Sequence, residues 1–464
     1  MKIKILISFL LFVTSFPVFC QWEEHLIYEN EIAGSAKLIL VDMDNDGLLD
    51  IVTFRGQSAI YWHKNLDGSG NFAQPLLIVE NLQTVRDMAI GDLTGNGFKD
   101  LVFSTQDVIN MGFNLRWMEH LDGNGTFGPT QIIPENPATR ARAIVLADID
   151  GDGMLDIVVS ASADSDRSIS WYRNLGNGNF SSSNVVITNF SNGFGFAVGD
   201  INGNGYLDIV SGTPNFQTMS WFENLDGLGN FSGPNEIGSE GLAVLRLHLV
   251  DIDGDGDLDV VGSGSSIYAW WENLDGQGTF GSERFIEVED IVTANYPADV
   301  DNDGDIDLFT ITPGSPPGAP GYMRWYENLD GLGNFSEPYL ITDNLNNSIT
   351  LEAADINGNG KVDPVIATQL TKQILWFENN LLSIEDYPVE NVVVYPNPVY
   401  DTLKIKIQED PDSFVIYMSS GQIVSEKKWE PGNNEIDVSF LPAGIYILEI
   451  KTLKGKEKVK FIKK

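Results

Sequence analysis

Asp148-Ile149-Asp150-Gly151-Asp152-Gly153-Met154-Leu155-Asp156 sets side-chain oxygens at positions 1, 3, 5 and 9 of a nine-residue stretch, with glycine at position 6. Hard oxygen ligands at alternating positions around a sharp glycine turn suit Ca²⁺, and position 7 can add a backbone carbonyl. Four carboxylates this close repel one another unless a cation stands between them. An EF-hand is excluded, because that loop needs an acidic twelfth residue and flanking helices. Position 12 here is Val159, and both flanks read as strands. A single such stretch also reads as an Asx-rich turn; its recurrence favours the metal reading.

Related nonapeptides begin at Asp42, Asp92, Asp148, Asp200, Asp251, Asp299 and Asp355, about fifty residues apart. Each follows an apolar run and precedes another. A strand with an aromatic pair comes next, such as Trp171-Tyr172 or Trp325-Tyr326, then a turn such as Asn328-Leu329-Asp330-Gly331-Leu332-Gly333-Asn334-Phe335. Each unit therefore reads as four strands, A to D. Seven units of this size predict an all-β chain, a seven-bladed β-propeller over residues 21–380. A solenoid is the rival. The seventh unit stops at Trp376-Phe377-Glu378-Asn379-Asn380 without strand D, while a spare strand, Trp22 to Tyr28, precedes the first strand A. Trp22 and Phe72 each stand 20 residues before a nonapeptide. The spare strand is thus expected to complete the last blade and remove an open edge, which a solenoid would not require.

Four loops carry the full aspartate set: Asp42, Asp44, Asp46 and Asp50; Asp148, Asp150, Asp152 and Asp156; Asp251, Asp253, Asp255 and Asp259; Asp299, Asp301, Asp303 and Asp307. Two are weaker, with asparagine at positions 3 and 5: Asp200, Asn202, Asn204 and Asp208; Asp355, Asn357, Asn359 and Asp363. The loop at Asp92, with Thr94 and Asn96, is the weakest. The expectation is about four strong Ca²⁺ sites and at most seven. The repeats resemble the FG-GAP/VCBS family, which includes the propellers of integrin α-chains. The Asp-x-Asp-x-Asp-Gly-x-x-Asp loops and the Trp-Tyr-Glu-Asn-Leu-Asp-Gly-x-Gly-x-Phe phrase carry that resemblance over residues 22–380. It implies a seven-bladed propeller with Ca²⁺ in the A–B loops. The strand C aromatics invite a sugar-stacking reading, but their presence in every repeat favours inter-blade packing.

Residues 1–20 have the form of a signal peptide: Lys2 and Lys4, an apolar Ile5 to Phe16, and Val18 and Cys20 before a cut at Gln21. A lipid on Cys20 is the alternative, with bulky Phe19 against it. Cys20 is the sole cysteine, so disulfides do not staple the exported chain. Residues 381–390 read as a linker and 391–464 as a small β-sandwich. Tyr395-Pro396-Asn397-Pro398, Pro442-Ala443-Gly444-Ile445-Tyr446 and the basic end Lys458 to Lys464 resemble the type A C-terminal sorting domain of the Bacteroidota type IX secretion system. That resemblance implies recognition by the type IX machinery, passage across the outer membrane, and a released or surface-held mature protein.

The net charge of −38 falls on the propeller, because leader and tail nearly cancel. It argues against nucleic acid as a partner and against anionic membranes, and no later segment reads as a membrane span. A monomer is expected. The few propeller bases cluster before first aspartates: Lys37, Arg86, Arg140, Arg142 and Arg246, with His248 beside the last. They suggest an anion-preferring pocket on the face opposite the metal loops, for an extracellular glycan or protein; local pairing with acids such as Asp87 is the simpler account. A secreted or surface-bound adhesion module is the leading function. A polysaccharide lyase is the alternative, with His248 and Arg246 as its base and charge neutraliser. No catalytic triad, phosphate loop or zinc motif appears.

Overall fold

The computed structural model describes residues 22–29, 35–55, 58–82, 84–107, 112–133, 141–161, 168–188, 195–212, 219–238, 244–264, 267–287, 291–313, 319–345, 348–368, 371–381, 392–407, 411–418, 423–429, 432, 434–442, 444–452 and 455–464. The expected leader, Arg140 and much of the B–C and D–A connections lie outside them.

Seven four-stranded antiparallel sheets make the blades of a seven-bladed β-propeller. Blade 3 is typical: strand A is Ala141–Ala147, B is Asp156–Ala161, C is Ser168–Tyr172 and D is Asn184–Thr188. Strand B is buried along its whole length. It lies between A and C within the blade and between neighbouring blades across its faces, so it reads as a continuous apolar run rather than an alternating one. Strand D, at the rim, is mostly exposed.

The seventh blade takes its strands A to C from Ser348–Ala354, Asp363–Thr368 and Gln373–Asn379, and its outer strand from Trp22–Glu29. The expected closure by the spare strand is therefore present. Leu381, expected to open the linker, is 1% exposed and packs with Trp22, Trp325 and Phe377, so the propeller core extends one residue further. Residues 382–391 lie outside the described set.

Two further sheets form the C-terminal β-sandwich. One joins Val392–Tyr395, Thr402–Ile407 and Glu435–Asp437; the other orders Ile423–Lys428, Ser413–Met418, Gly444–Thr452 and Gly455–Lys463. Val399, Leu403, Ile416, Val438, Leu448 and Phe461 are fully buried between them. No helix among the described residues is long and apolar enough to cross a membrane.

The recurring aromatic and glycine positions explain one another. Trp270 of blade 5 lies under the C–D turn of blade 6, so that a Cβ on Gly333 would come 2.1 Å from its ring. Trp117 with Gly178, Trp171 with Gly229, Trp221 with Gly278 and Trp376 with Gly70 repeat the contact. The strand C tryptophans are at most 4% exposed, which leaves no face for a stacked sugar.

Candidate functional site

The nonapeptides sit in the A–B loops, and each is built on an αL residue at position 6. In blade 1 this is Gly47 (φ 88°), and a Cβ there would meet nothing within 4 Å. Glycine is needed for the backbone conformation, not for space. The first aspartate wraps the turn: Asp42 accepts the N–H of Asp46 at 3.1 Å and of Gly47 at 2.9 Å. The fifth accepts the N–H of position 7, as Asp46 does from Leu48 at 2.9 Å.

The ninth aspartate is the blade's internal tie. Asp156 accepts Ile149 N–H at 3.0 Å on one oxygen and Asn174 N–H at 2.7 Å on the other, joining loop A–B to strand C. Asp50, Asp208, Asp259, Asp307 and Asp363 make the same pair of bonds, and all are at most 1% exposed. Burial raises these carboxyls, to about 6 for Asp50 and Asp208 and about 7 for Asp156, Asp259 and Asp363.

Ligand oxygens within 4.8 Å of one another come from Asp148, Asp150 and Asp152, from Asp251, Asp253 and Asp255, from Asp299, Asp301 and Asp303, and in blade 1 from Asp42, Asp44 and Asp50. All four loops with the full aspartate set thus bring carboxylates together. They differ in what faces them. The residue before the asparagine that ends or follows strand C (His120 in blade 2) is glutamate in five blades but Lys64 in blade 1 and Arg173 in blade 3. Lys64 pairs with Asp44 and, at 3.0 Å, with Asp46. Arg173 pairs with Asp150 and, at 3.1 Å, with Asp152. These two loops carry a cation of their own. The difference is visible in the sequence as a basic residue at a glutamate register.

In the asparagine loops the glutamate accepts a side-chain amide instead. Asn202 donates to Glu223 at 3.0 Å, and Asn357 to Glu378 at 3.1 Å. The Asp92 loop is similar, with Asn96 donating to Glu119 at 3.4 Å.

Blades 5 and 6 combine full aspartate loops with Glu272 and Glu327. Burial first, then Asp255 and Glu272, raise Asp253; burial, then Asp303 and Glu327, raise Asp301 well above the usual range. Asp253 Oδ1 and Asp301 Oδ1 are buried and accept no hydrogen bond among the described atoms, as is also true of Asp44 Oδ1 and Asp150 Oδ1, but here strand C leads to a glutamate instead of a cation. A buried carboxylate oxygen without a donor fits a metal ligand. The residues of these two loops therefore fit a hard divalent cation held by oxygen.

The second candidate site is the channel at the centre of the ring. Strand A of every blade lines it, around a cavity of about 360 Å³. Four of its lining residues are Lys37, Arg86, Arg142 and Arg246, against two acids, Asp87 and Glu352, so the wall carries more positive than negative groups. His248, Phe196 and Tyr296 also line it. The structure thus brings together five of the six expected ligand residues; Arg140 lies outside the described set. Local pairing is present as well: Lys37 donates to Asp87 at 2.5 Å and to the Met88 carbonyl at 2.9 Å. Burial raises Glu352 to about 7, with Lys37 opposing it. His248 donates from Nε2 to the Asn295 carbonyl at 3.1 Å, and burial holds it down at about 4. Glu352 and Asn295 escaped sequence reasoning, because neither carries a motif and only ring closure brings them to the channel.

The family model for FG-GAP-like repeats matches residues 42–103, 106–159, 158–211, 207–262, 251–310 and 299–366. The chain belongs to the FG-GAP-like repeat family. The model for the secretion system C-terminal sorting domain matches residues 393–464, marking the chain for type IX export to a secreted or surface location. No curated protein matched the sequence. Among solved structures, one described as BBS1N in complex with ARL6DN is 11% identical, with a TM-score of 0.51, and the match covers 77% of this chain and 97% of that one. Another is an Agrocybe aegerita structure described as a basis for recognition of non-reducing terminal N-acetylglucosamine. It is 21% identical with a TM-score of 0.48, covering 67% and 81%. The first shares the fold.

Proposed function

We propose that this FG-GAP-like propeller is a calcium-stabilised, non-catalytic binding module that takes an anionic group of an extracellular glycan or protein in its central channel. The observation that carries the ligand reading is the channel wall: four basic side chains against two acids, in a chain of net charge −38. A local excess of positive charge within a low-dielectric wall focuses an attractive field on anions such as uronate, sulfate ester or an acidic side chain. Glu352, raised to about 7, offsets that excess less than a fully ionised acid would. Calcium belongs first to the loops of blades 5 and 6, where buried carboxylate oxygens lack donors and the residue after strand C is a glutamate rather than the cation found in blades 1 and 3. Bound there, it would neutralise carboxylates that otherwise repel.

The lyase reading is the weaker one. It needs a base that accepts a proton near neutral pH, and His248, held at about 4 with Nε2 donating to a carbonyl, is poorly suited. The deciding experiment is a screen of the full chain against anionic glycans and acidic proteins, with the triple variant Arg86→Ala, Arg142→Ala, Arg246→Ala beside it. Binding lost in the variant supports the channel; equal binding by both overturns it. Rising absorbance from unsaturated uronates on alginate or pectin would establish the enzyme instead.

A further inference from the structure

The sorting domain touches the propeller at a metal loop. Lys460, on the last strand Gly455–Lys463, donates from Nζ to Asp303 Oδ2 at 3.2 Å, across 157 positions of sequence. Both side chains are largely covered, Lys460 being 16% exposed and Asp303 5%. Asp303 is the fifth position of the blade 6 loop and shares a 4.8 Å cluster with Asp299 and Asp301. The contact is the counterpart of the pairs made by Lys64 and Arg173 in blades 1 and 3. In those blades the cation comes from strand C and cannot leave. In blade 6 strand C supplies Glu327, another negative charge, and the cation comes from the tail.

We propose that Lys460 is the removable counter-ion of the blade 6 loop, so that calcium at Asp299, Asp301 and Asp303 and docking of the sorting domain exclude one another. One ammonium group is a point charge with three donors. It contacts Asp303 and leaves Asp301 Oδ1 without a donor, whereas a calcium ion gathers six to eight oxygens and can serve the cluster together. Calcium therefore displaces Lys460. By linkage the two effects are reciprocal: tail docking weakens calcium binding by the factor with which calcium weakens docking. Where calcium is scarce the tail is held on blade 6. Where calcium is plentiful the strand bearing Lys460 is released and presented to solvent.

This inference rests on the calcium reading of the preceding section, and its test separates the two. Calcium chloride is titrated calorimetrically into the full chain, into Lys460→Ala and Lys460→Gln, and into Asp301→Asn. The expected result is one calcium equivalent that Asp301→Asn removes and that both lysine variants tighten by about tenfold. In parallel, fluorophores are placed by Leu332→Cys and Tyr400→Cys, both exposed positions, in a Cys20→Ser background. Saturating calcium is expected to lengthen their separation in the otherwise native chain and to leave it unchanged in Asp301→Asn. If that equivalent binds with the same affinity whether or not Lys460 is present, or the separation ignores calcium, this inference fails while the calcium reading stands. If no variant binds calcium at all, both fail together.

Discussion

Trp22 lies opposite Asn379 in the antiparallel ladder that closes the ring. The pairing is the counterpart of Asn65 with Phe72, Asn174 with Phe180 and Asn328 with Phe335 inside single blades. The first described strand thus supplies for blade 7 the aromatic that each other blade takes from its own C–D turn. Trp22 is 5% exposed and meets Phe309 edge-on at 5.9 Å. Trp22→Ala should therefore cost about 3–5 kcal/mol, as truncation of a buried large aromatic does. Urea unfolding monitors this; a cost under ~1 kcal/mol would show that the strand does not hold the ring shut.

Asparagines of strand C latch neighbouring blades. Asn328 donates its amide to the Ile252 carbonyl of blade 5 at 2.9 Å, and Asn379 to the Val300 carbonyl of blade 6 at 2.7 Å. Asn328→Ala should lose about 1–3 kcal/mol, because Ile252's carbonyl is left buried without that donor. Asn334→Ala, at an exposed turn, should stay within about 0.5 kcal/mol of the parent. Equal melting temperatures for the two variants would contradict the latch.

Two glycines with positive φ should respond differently to alanine. Gly333 (φ 73°) has the Trp270 ring 2.1 Å from a built Cβ, whereas Gly304 (φ 98°) has nothing within 4 Å. Both substitutions strain the backbone, at about 1–2 kcal/mol. Gly333→Ala adds an overpacking cost of roughly 1–3 kcal/mol. Calorimetric melting should rank Gly333→Ala clearly below Gly304→Ala, and the reverse order would refute the packing account.

Chelation should lower the melting temperature, because a ligand bound only by the folded state stabilises it by about 2.7 kcal/mol at a hundred times its Kd. Asp253→Asn should shrink that response. Lys64→Gln should enlarge it, since it removes the internal cation paired with Asp44 and Asp46. Calcium stoichiometry by equilibrium dialysis checks the change, with one more equivalent expected in Lys64→Gln than in the parent.

Glu352 makes stability depend on pH. Its folded carboxyl titrates near 7, against 4.5 in a free chain. Between these values the folded protein keeps a proton that the unfolded chain has released, so this group's contribution falls as pH rises from about 4.5 to about 7, then levels. Glu352→Gln should match the parent's stability near pH 4.5 and exceed it at pH 8 by on the order of 1–3 kcal/mol. His248 acts in the opposite sense, costing stability as pH falls from 6.5 towards about 4. A Glu352→Gln gain that was equal at both pH values would rule out titration as its cause.

The seven nonapeptides, the Trp and Gly phrases and the unpaired first strand were enough to read the blades, their number and the way the ring closes. Each is a local device repeated at a fixed period, and periodicity survives in a linear chain. The sorting tail was legible for a similar reason, through Tyr395-Pro396-Asn397-Pro398 and Gly444-Ile445-Tyr446. The cations were harder. Lys64 and Arg173 stand in plain register with the glutamates of the other blades, but only their reach across the blade shows that they sit on Asp44, Asp46, Asp150 and Asp152.

The sequence by itself determined the all-β class, the seven blades, the loops able to gather carboxylates and the tail that directs export, because these depend on neighbours within one repeat. Tertiary structure alone decided which loops already hold a positive charge, that Lys460 belongs to blade 6, and that Glu352 and Asn295 join the expected bases in the channel. Those relationships join residues from separate strands, separate blades or separate domains. Electrostatic and hydrogen-bond energies depend on distance in space, and no spacing along the chain encodes it.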